Sequence, residues 1–201
     1  MRIRALLALA AGGSLMAGCA ATAANTNSAS SAPPVKASKS DVPAFPSTYK
    51  AYPSVPTAIT GVTIFDGEGG RIDKGTVFMA GGKITSVGGP DTAIPAEVTI
   101  VDGSGKYVTP GIIDVHSHLG DYPTPSVSAH SDGNEATSPV TPEVWAEHSV
   151  WPQDPGFSRA LANGGITSLQ ILPGSANLFG GRSVTLKNVS ARTVQAMKFP
   201  G

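Results

Sequence analysis

Two histidines, His116 and His118, have the types and spacing best suited to chemistry in this sequence. They close the apolar run IIDVHSHL, which follows a Pro-Gly turn and predicts a strand. Because side chains alternate along a strand, Asp114 is expected to share one face with both imidazoles. Two imidazoles on one face can bind a single Zn²⁺ ion. A chance pair is the alternative, and the strand context favours the metal site.

The elements that position this pair begin with a β-rich region, residues 57–110. Its β-branched runs are broken by glycine turns, as in AITGVTIFDGEGG and AEVTIVDGSGKYVTPG. The stretch GTVFMAGGKITSVGG indicates a hairpin across Gly81 and Gly82. We therefore expect a small antiparallel β unit ahead of the histidine strand.

After residue 111 the pattern changes to strand, helix, strand. The stretch DPGFSRALANGG predicts a short helix with Asp154 as N-cap, Pro155 at the first helical position and Gly164 at C′. ITSLQIL follows as a second apolar strand, and RSVTLKNVS is a candidate further extended piece. This order predicts a parallel α/β sheet, in which sites form at the C-terminal ends of strands.

The N-terminal region predicts export rather than folded structure. Residues 1–19 combine two arginines with a short apolar stretch, which is typical of a signal peptide. The sole cysteine, Cys19, closes LMAGC, which resembles the lipobox of bacterial lipoproteins, whose cysteine carries the lipid. We expect a membrane-anchored protein of the bacterial cell envelope, with a plain periplasmic signal as the alternative. Residues 20–56, rich in Ala, Ser, Thr and Pro, are expected to form a disordered tether.

The run GKYVTPGIIDVHSHLG, residues 105–120, resembles the signature of the amidohydrolase superfamily. GVTIFDGEGG and GGKITSVGG resemble the opening β unit of that family, and ALANGGITSLQILPGSANLFGG resembles its second barrel unit. The resemblance covers residues 58–181. It implies a small β domain followed by a (β/α)₈ barrel. It also implies a catalytic divalent metal, zinc foremost and as one or two ions, held by His116 and His118, with Asp114 at the acidic catalytic position.

The expected barrel is incomplete. A (β/α)₈ barrel needs about 250 residues, whereas about 90 follow Pro110. The later lysine, histidines and aspartate of the family match no residue here, and Lys187 and Lys198 are interpreted as surface lysines. We therefore expect an α/β fold in which residues 111–201 form a truncated barrel start. A cupin, another His-x-His fold, is disfavoured because it should continue with strands only.

The resemblance implies metal-dependent hydrolysis of amide or other C–N bonds in a small-molecule substrate. Ser175 and Asn177 follow the second strand and are candidate substrate-binding residues, with turn chemistry as an equal alternative. The competing hypothesis is a catalytically inactive, truncated envelope lipoprotein with a binding role or no function. Fourteen basic and 14 acidic residues balance to zero net charge, so nothing favours nucleic acid as a partner.

The polar stretch 120–153 holds two further histidines and both tryptophans. His130 and His148 could belong to a lid over the site, but a solvated loop is the favoured interpretation. Trp145 and Trp151 could line a substrate pocket, and packing that anchors the loop is favoured over that role.

Overall fold

The computed structural model describes residues 45–130 and 133–200. The expected signal, with Cys19, and residues 20–44 of the expected tether lie outside these ranges. Over the part that is described, no helix is both long and apolar enough to cross a membrane.

The N-terminal sheet has five strands. They are β1 (Thr57–Phe65), β2 (Arg71–Ala80), β3 (Lys83–Gly88), β4 (Thr99–Asp102) and β5 (Tyr107–Val108). The predicted β2–β3 hairpin is confirmed, and its turn places Gly81 at φ 59° and Gly82 at φ 72°. Glycine suits both positions because a Cβ disfavours the left-handed region.

The expectation of an all-antiparallel unit is wrong. Strands β4 and β5 both pair with β1 in parallel. Strand β2 occupies one edge of β1, so the later strands reach the other edge after residues 89–98 bring the chain back to the start of β1. Thr57 accordingly pairs with Thr99. The core of this sheet consists of Val62, Ile64 and Val77.

The second sheet carries the histidine strand. Its elements are β6 (Ile112–Ser117), helix α1 (Pro155–Gly164), β7 (Ile166–Ile171) and β8 (Val184–Lys187). Strands β6 and β7 are connected by α1 and pair with each other in parallel, which confirms the predicted strand–helix–strand unit. Strand β8 is the expected further extended piece and runs antiparallel to β7.

Helix α1 begins as predicted and ends one residue later. The Asp154 carboxylate accepts a backbone N–H of the first turn at 2.8 Å, and Pro155 is the first helical residue. Gly164 was expected at C′, but it is the last helical residue. Gly165 instead adopts the left-handed conformation, with φ 64°, and its N–H bonds to the Leu161 carbonyl at 3.0 Å.

The last part of the long stretch 120–153 packs against the second sheet, whereas His130 and His148 are exposed, as the solvated-loop interpretation expects. Ala146 and Val150, around the short 3₁₀ turn Ala146–His148, belong to the apolar core of the sheet. The other members of this core are Phe157, Leu169, Ile171, Val184, Leu186, Val194 and Met197.

The end of the expected tether, residues 45–56, also contacts the folded body. The Ser47 hydroxyl donates to the Lys198 carbonyl at 2.7 Å, and the Thr48 N–H donates to the Gln195 carbonyl at 2.9 Å. The structure thus differs from the boundary expected at residue 56. Two aromatic rings of this segment also contact the body: the Phe45 ring lies 5.4 Å from the His148 ring, and the Lys187 Nζ lies 5.1 Å from the Tyr49 ring centroid. The aromatic side chains of this segment are Phe45, Tyr49 and Tyr52.

Candidate functional site

The two histidine rings lie together at the C-terminal end of β6. Their centroids are 5.3 Å apart, with the planes at 85°. His116 is exposed within the strand, and His118 is half-buried one residue beyond it. The structure therefore brings together the rings that strand alternation predicted to be neighbours.

Asp114 contacts the backbone that carries the first ring. Its Oδ1 accepts the His116 N–H at 3.1 Å. The pairing of β6 with β7 is irregular between Asp114 and Ser117, so this stretch departs from a regular ladder. A side-chain acceptor for the His116 N–H stabilises the local backbone where the ladder is interrupted.

His118 is oriented by the neighbouring strand. Its Nδ1 lies 2.9 Å from the backbone carbonyl oxygen of Leu172, directly after β7. A carbonyl oxygen only accepts, so Nδ1 carries a proton, and in the neutral ring Nε2 therefore keeps its lone pair. Such an N–H···O=C bond is the usual partner of a metal-ligating histidine, because it fixes both tautomer and ring orientation.

A tight turn follows His118 and returns Tyr122 to its ring. The N–H groups of Asp121 and Tyr122 both donate to the His118 carbonyl at 3.1 Å, and Gly120 supplies a left-handed φ of 84°. The Tyr122 ring then meets the His118 ring edge-on, at 5.6 Å and 90°. Sequence reasoning missed Tyr122, although a glycine two residues after His118 is a turn signal.

Asp154 is a second residue whose full role the sequence did not indicate. Besides capping α1 through the N–H of Gly156, its buried carboxylate accepts the N–H groups of Gly120 and Thr124, each at 3.0 Å. One side chain therefore joins the start of the helix to the turn that follows the histidine strand.

The loop histidines contact tryptophans. The rings of His130 and Trp151 are 5.3 Å apart, beside a cavity of about 310 Å³. His148 stacks on Trp145 at 5.8 Å, and the Arg182 guanidinium lies 4.7 Å from the Trp145 ring centroid. The Arg182 contact joins Trp145 to a residue outside the stretch 120–153, which agrees with the interpretation that this tryptophan anchors the loop.

Ser175 and Asn177 lie beyond β7, as expected. Ser175 is exposed, whereas the Asn177 Nδ2 donates to the carbonyls of Glu135 and Ser138 at 2.6 and 2.7 Å. The Thr137 hydroxyl and backbone N–H hold the pKa of the Glu135 carboxyl below its ordinary value. Asn177 thus ties the segment after β7 to the long loop.

The residues present fit part of a divalent metal site. His116 and His118 offer neighbouring imidazoles, and the tautomer of His118 leaves the Nε2 lone pair available to bind a metal ion. Among residues 45–130 and 133–200, no group of three or more His, Cys, Asp and Glu side chains is placed to hold a metal ion.

The arrangement is a small β sheet followed by a parallel β–α–β unit whose first strand ends in His-x-His. No protein-family model matches the chain. Amidohydrolase tasK of Hapsidospora irregularis is 38% identical over 120 residues, which are 59% of this chain and 12% of that protein. The dihydroorotase of Pelotomaculum thermopropionicum is 31% identical over 118 residues, which are 59% of this chain and 22% of that protein.

A solved structure supports the same relationship. A crystal structure of an amidohydrolase from Thermotoga maritima matches with a TM-score of 0.65 and 38% identity, over 72% of this chain and 36% of that one. The chain is similar to members of the amidohydrolase superfamily, and the similarity covers the N-terminal portion of these relatives. It spans 12% to 36% of their lengths. The likeness confirms the expected α/β class with the start of a barrel.

Proposed function

We propose that this chain supplies the His-x-His part of a metal-dependent hydrolase that cleaves amide or other C–N bonds in small molecules. The observation that carries the proposal is the held ring of His118. The His118 Nδ1 lies 2.9 Å from the Leu172 carbonyl oxygen, and the centroid of the His118 ring is 5.3 Å from that of the His116 ring. The chain that carries this pair is similar to amidohydrolases.

His116 and His118 would hold the metal. When bound, a divalent metal such as zinc polarises a substrate carbonyl and lowers the pKa of a water. Leu172 keeps the His118 ring in one tautomer, and Asp114 steadies the backbone beneath the His116 ring. Because both contacts hold the histidines in place beforehand, less conformational entropy is lost when the metal binds.

We propose that the substrate approaches from the side of the long loop. A cavity of about 260 Å³ lies between this loop and the residue after Leu172, Pro173. Ser175 is a candidate substrate contact through its hydroxyl. Asn177 would act through its carboxamide oxygen, because its nitrogen already serves two loop carbonyls.

Zinc titration into the full chain tests the metal site. We expect one zinc per chain, lost in His116→Ala and in His118→Ala and retained in the matched control His130→Ala. Affinity should be weak, since catalytic zinc sites keep about three protein ligands, and we expect no measurable hydrolysis by residues 1–201 alone. Zinc stoichiometry that is unchanged in both site variants would falsify the metal site.

A chimera tests the hydrolase role directly. The matching segment of the Thermotoga maritima amidohydrolase would be replaced by residues 105–181 of this chain, over which the family resemblance runs. We expect the chimera to hydrolyse the substrates of its parent and to lose that activity with His116→Ala. A folded, zinc-loaded chimera that is inactive, or one that tolerates His116→Ala, would count against the proposal.

We also propose that the mature protein is anchored in the bacterial envelope through a lipid on Cys19. Support comes from the LMAGC run behind the two arginines and the apolar stretch. Labelled palmitate should be incorporated into the wild-type protein and not into the Cys19→Ser variant. The variant protein should also be lost from the membrane fraction. Equal labelling of both proteins would exclude the lipid anchor.

A further inference from the structure

We propose that Tyr122 is a positioning residue for the metal-ligating ring of His118. Its aromatic ring meets the imidazole edge-on and keeps the imidazole Nδ1 on the Leu172 carbonyl. The consequence for metal binding rests on the proposed function, whereas the orientation of the ring does not.

The first support is the local turn. The His118 carbonyl accepts the N–H of Tyr122 at 3.1 Å, so the backbone loops back directly behind the ring. The turn requires the left-handed conformation of Gly120, whose N–H is held by Asp154. The turn therefore places Tyr122 against His118, and Asp154 anchors this turn to the start of helix α1.

The second support is the close fit around the phenol ring. A Cβ on Gly133 would lie 2.6 Å from the Tyr122 Cζ, and a Cβ on Gly174 would overlap the hydroxyl. Two glycines from distant parts of the chain thus leave room for one aromatic side chain. The Gly174 N–H also donates to the Gly133 carbonyl, which joins the two walls of this enclosure.

The third support is the hydrogen-bonded path from Tyr122 to the end of β7. The Asn134 Nδ2 donates to the Tyr122 hydroxyl, and the Asn134 Oδ1 accepts the Ala176 N–H at 3.1 Å. Leu172, which receives the His118 Nδ1, belongs to the same segment. Both neighbours of the imidazole are thus fixed relative to one strand end, which restricts rotation of the ring.

Tyr122 is 38% exposed, so its truncation removes little core area. A purely structural role therefore predicts a modest loss of stability and no effect on the His118 ring. A positioning role predicts a change at the ring that exceeds any change in the fold.

The primary experiment measures the tautomer of His118 by ¹⁵N NMR in the metal-free full chain. The chain has four histidines, so His→Gln variants suffice to assign the signals. We expect the wild type to show protonated Nδ1 and unprotonated Nε2 at a pH where the ring is neutral. Tyr122→Ala should give a mixture of tautomers. Tyr122→Phe loses the hydrogen bond from Asn134 but keeps the ring edge and its fit between Gly133 and Gly174, so it should retain the wild-type signal.

The matched control is Tyr107→Ala, a tyrosine that is 69% exposed in the other sheet, and it should leave the His118 signal unchanged. If Tyr122→Ala does not fold, Tyr122→Leu replaces it, with the same mixture expected. A folded Tyr122→Ala or Tyr122→Leu chain with the wild-type His118 tautomer would overturn the proposal, as would a mixture in Tyr122→Phe.

Zinc affinity provides the second readout. Loss of a partner that orients a metal ligand costs about 10–100-fold in affinity, so Tyr122→Ala should bind zinc at least about tenfold more weakly. Tyr122→Phe and Tyr107→Ala should match the wild type. A wild-type chain that binds no zinc through its histidine pair would refute the proposed function, while the metal-free tautomer measurement would still decide the role of Tyr122.

Discussion

The carboxylate of Asp154 lies 3.0 Å from the backbone nitrogen of Gly120, across 34 residues of sequence. The same side chain caps helix α1 and receives the N–H of Thr124. The helix that connects the two parallel strands thus also holds the turn behind the histidine pair, so the connection and the site share one anchor.

Replacing Asp154 should destabilise the fold more than the loss of a helix cap alone. Asp154→Ala leaves three backbone N–H groups without their acceptor, and we expect a loss of about 2–4 kcal/mol in the free energy of unfolding. Urea denaturation of the full chain measures it. The control Ser158→Ala, on the exposed face of α1, should stay within about 0.5 kcal/mol. Equal effects of the two substitutions would contradict the anchoring role.

Lys198, which the sequence predicted to be a surface lysine, instead forms a largely buried ion pair with Glu147, and the stability of this pair should depend on both partners. The Glu147 side chain is 3% exposed, and the Lys198 ammonium also donates to the Phe45 carbonyl. Lys198→Met leaves a buried carboxylate unpaired, so we expect a cost of about 3–5 kcal/mol. The double variant Glu147→Gln/Lys198→Met should recover most of it.

An exposed pair provides the comparison. Arg71 and Asp73 lie 2.8 Å apart at the surface of β2, and Arg71→Met should cost less than about 1 kcal/mol. Unfolding free energies from urea titration decide between the two cases. The buried pair has no special weight if Lys198→Met costs no more than Arg71→Met.

The apolar face of β6 should promote association. Ile113 is 65% exposed and Val115 68%, and among the described strands β6 pairs with β7 alone. The double variant Ile113→Thr/Val115→Thr should lower light scattering while changing stability by under about 1 kcal/mol. Leu169→Ala, in the buried core beside it, should cost about 2–5 kcal/mol. Scattering that does not fall in the threonine variant would exclude this face as the cause.

The turn between β1 and β2 should lose stability in acid. The backbone N–H groups of Glu68 and Gly70, each 2.8 Å from Asp66 Oδ1, hold the pKa of the Asp66 carboxyl below its ordinary value of 3.8. A carboxyl group whose pKa is lowered by folding stabilises the fold at pH values above its pKa in the unfolded state. This stabilisation is lost as the pH falls through its pKa in the folded state. Asp66→Asn should therefore lower the urea midpoint at pH 7, and the difference should vanish well below pH 3.8.

The matched control is Asp91→Asn, another exposed aspartate in the N-terminal region, and it should leave the midpoint at pH 7 unchanged. A difference between Asp66→Asn and wild type that persists at low pH would show that the carboxylate charge is not the cause.

Features set by neighbouring residues could be predicted from the sequence. Asp154 and Pro155 predict the start of α1, and the pair Gly81-Gly82 predicts the hairpin between β2 and β3. The end of α1 was displaced by one residue because either glycine of the Gly164-Gly165 pair can take the left-handed conformation. The choice depends on which N–H reaches the carbonyls of the last turn.

Features set by distant residues could not be predicted. The parallel pairing of β4 and β5 with β1 depends on which strand edge is already occupied. The contact of Tyr122 with His118 depends on the enclosure formed by Gly133 and Gly174. Strand periodicity placed the two imidazoles together, but it carries no information on what holds their rings.

The hydrogen bond from His118 to Leu172 spans 54 residues. Ribosomes add about 5–20 residues per second, so about 3–11 s separate the synthesis of the two partners. The β2–β3 hairpin is local and can form during that time, whereas β6 must wait for its neighbour. A nascent strand bearing two imidazoles and the apolar Ile113 and Val115 thus spends several seconds without its partner, which is the interval in which a chaperone has most to shield.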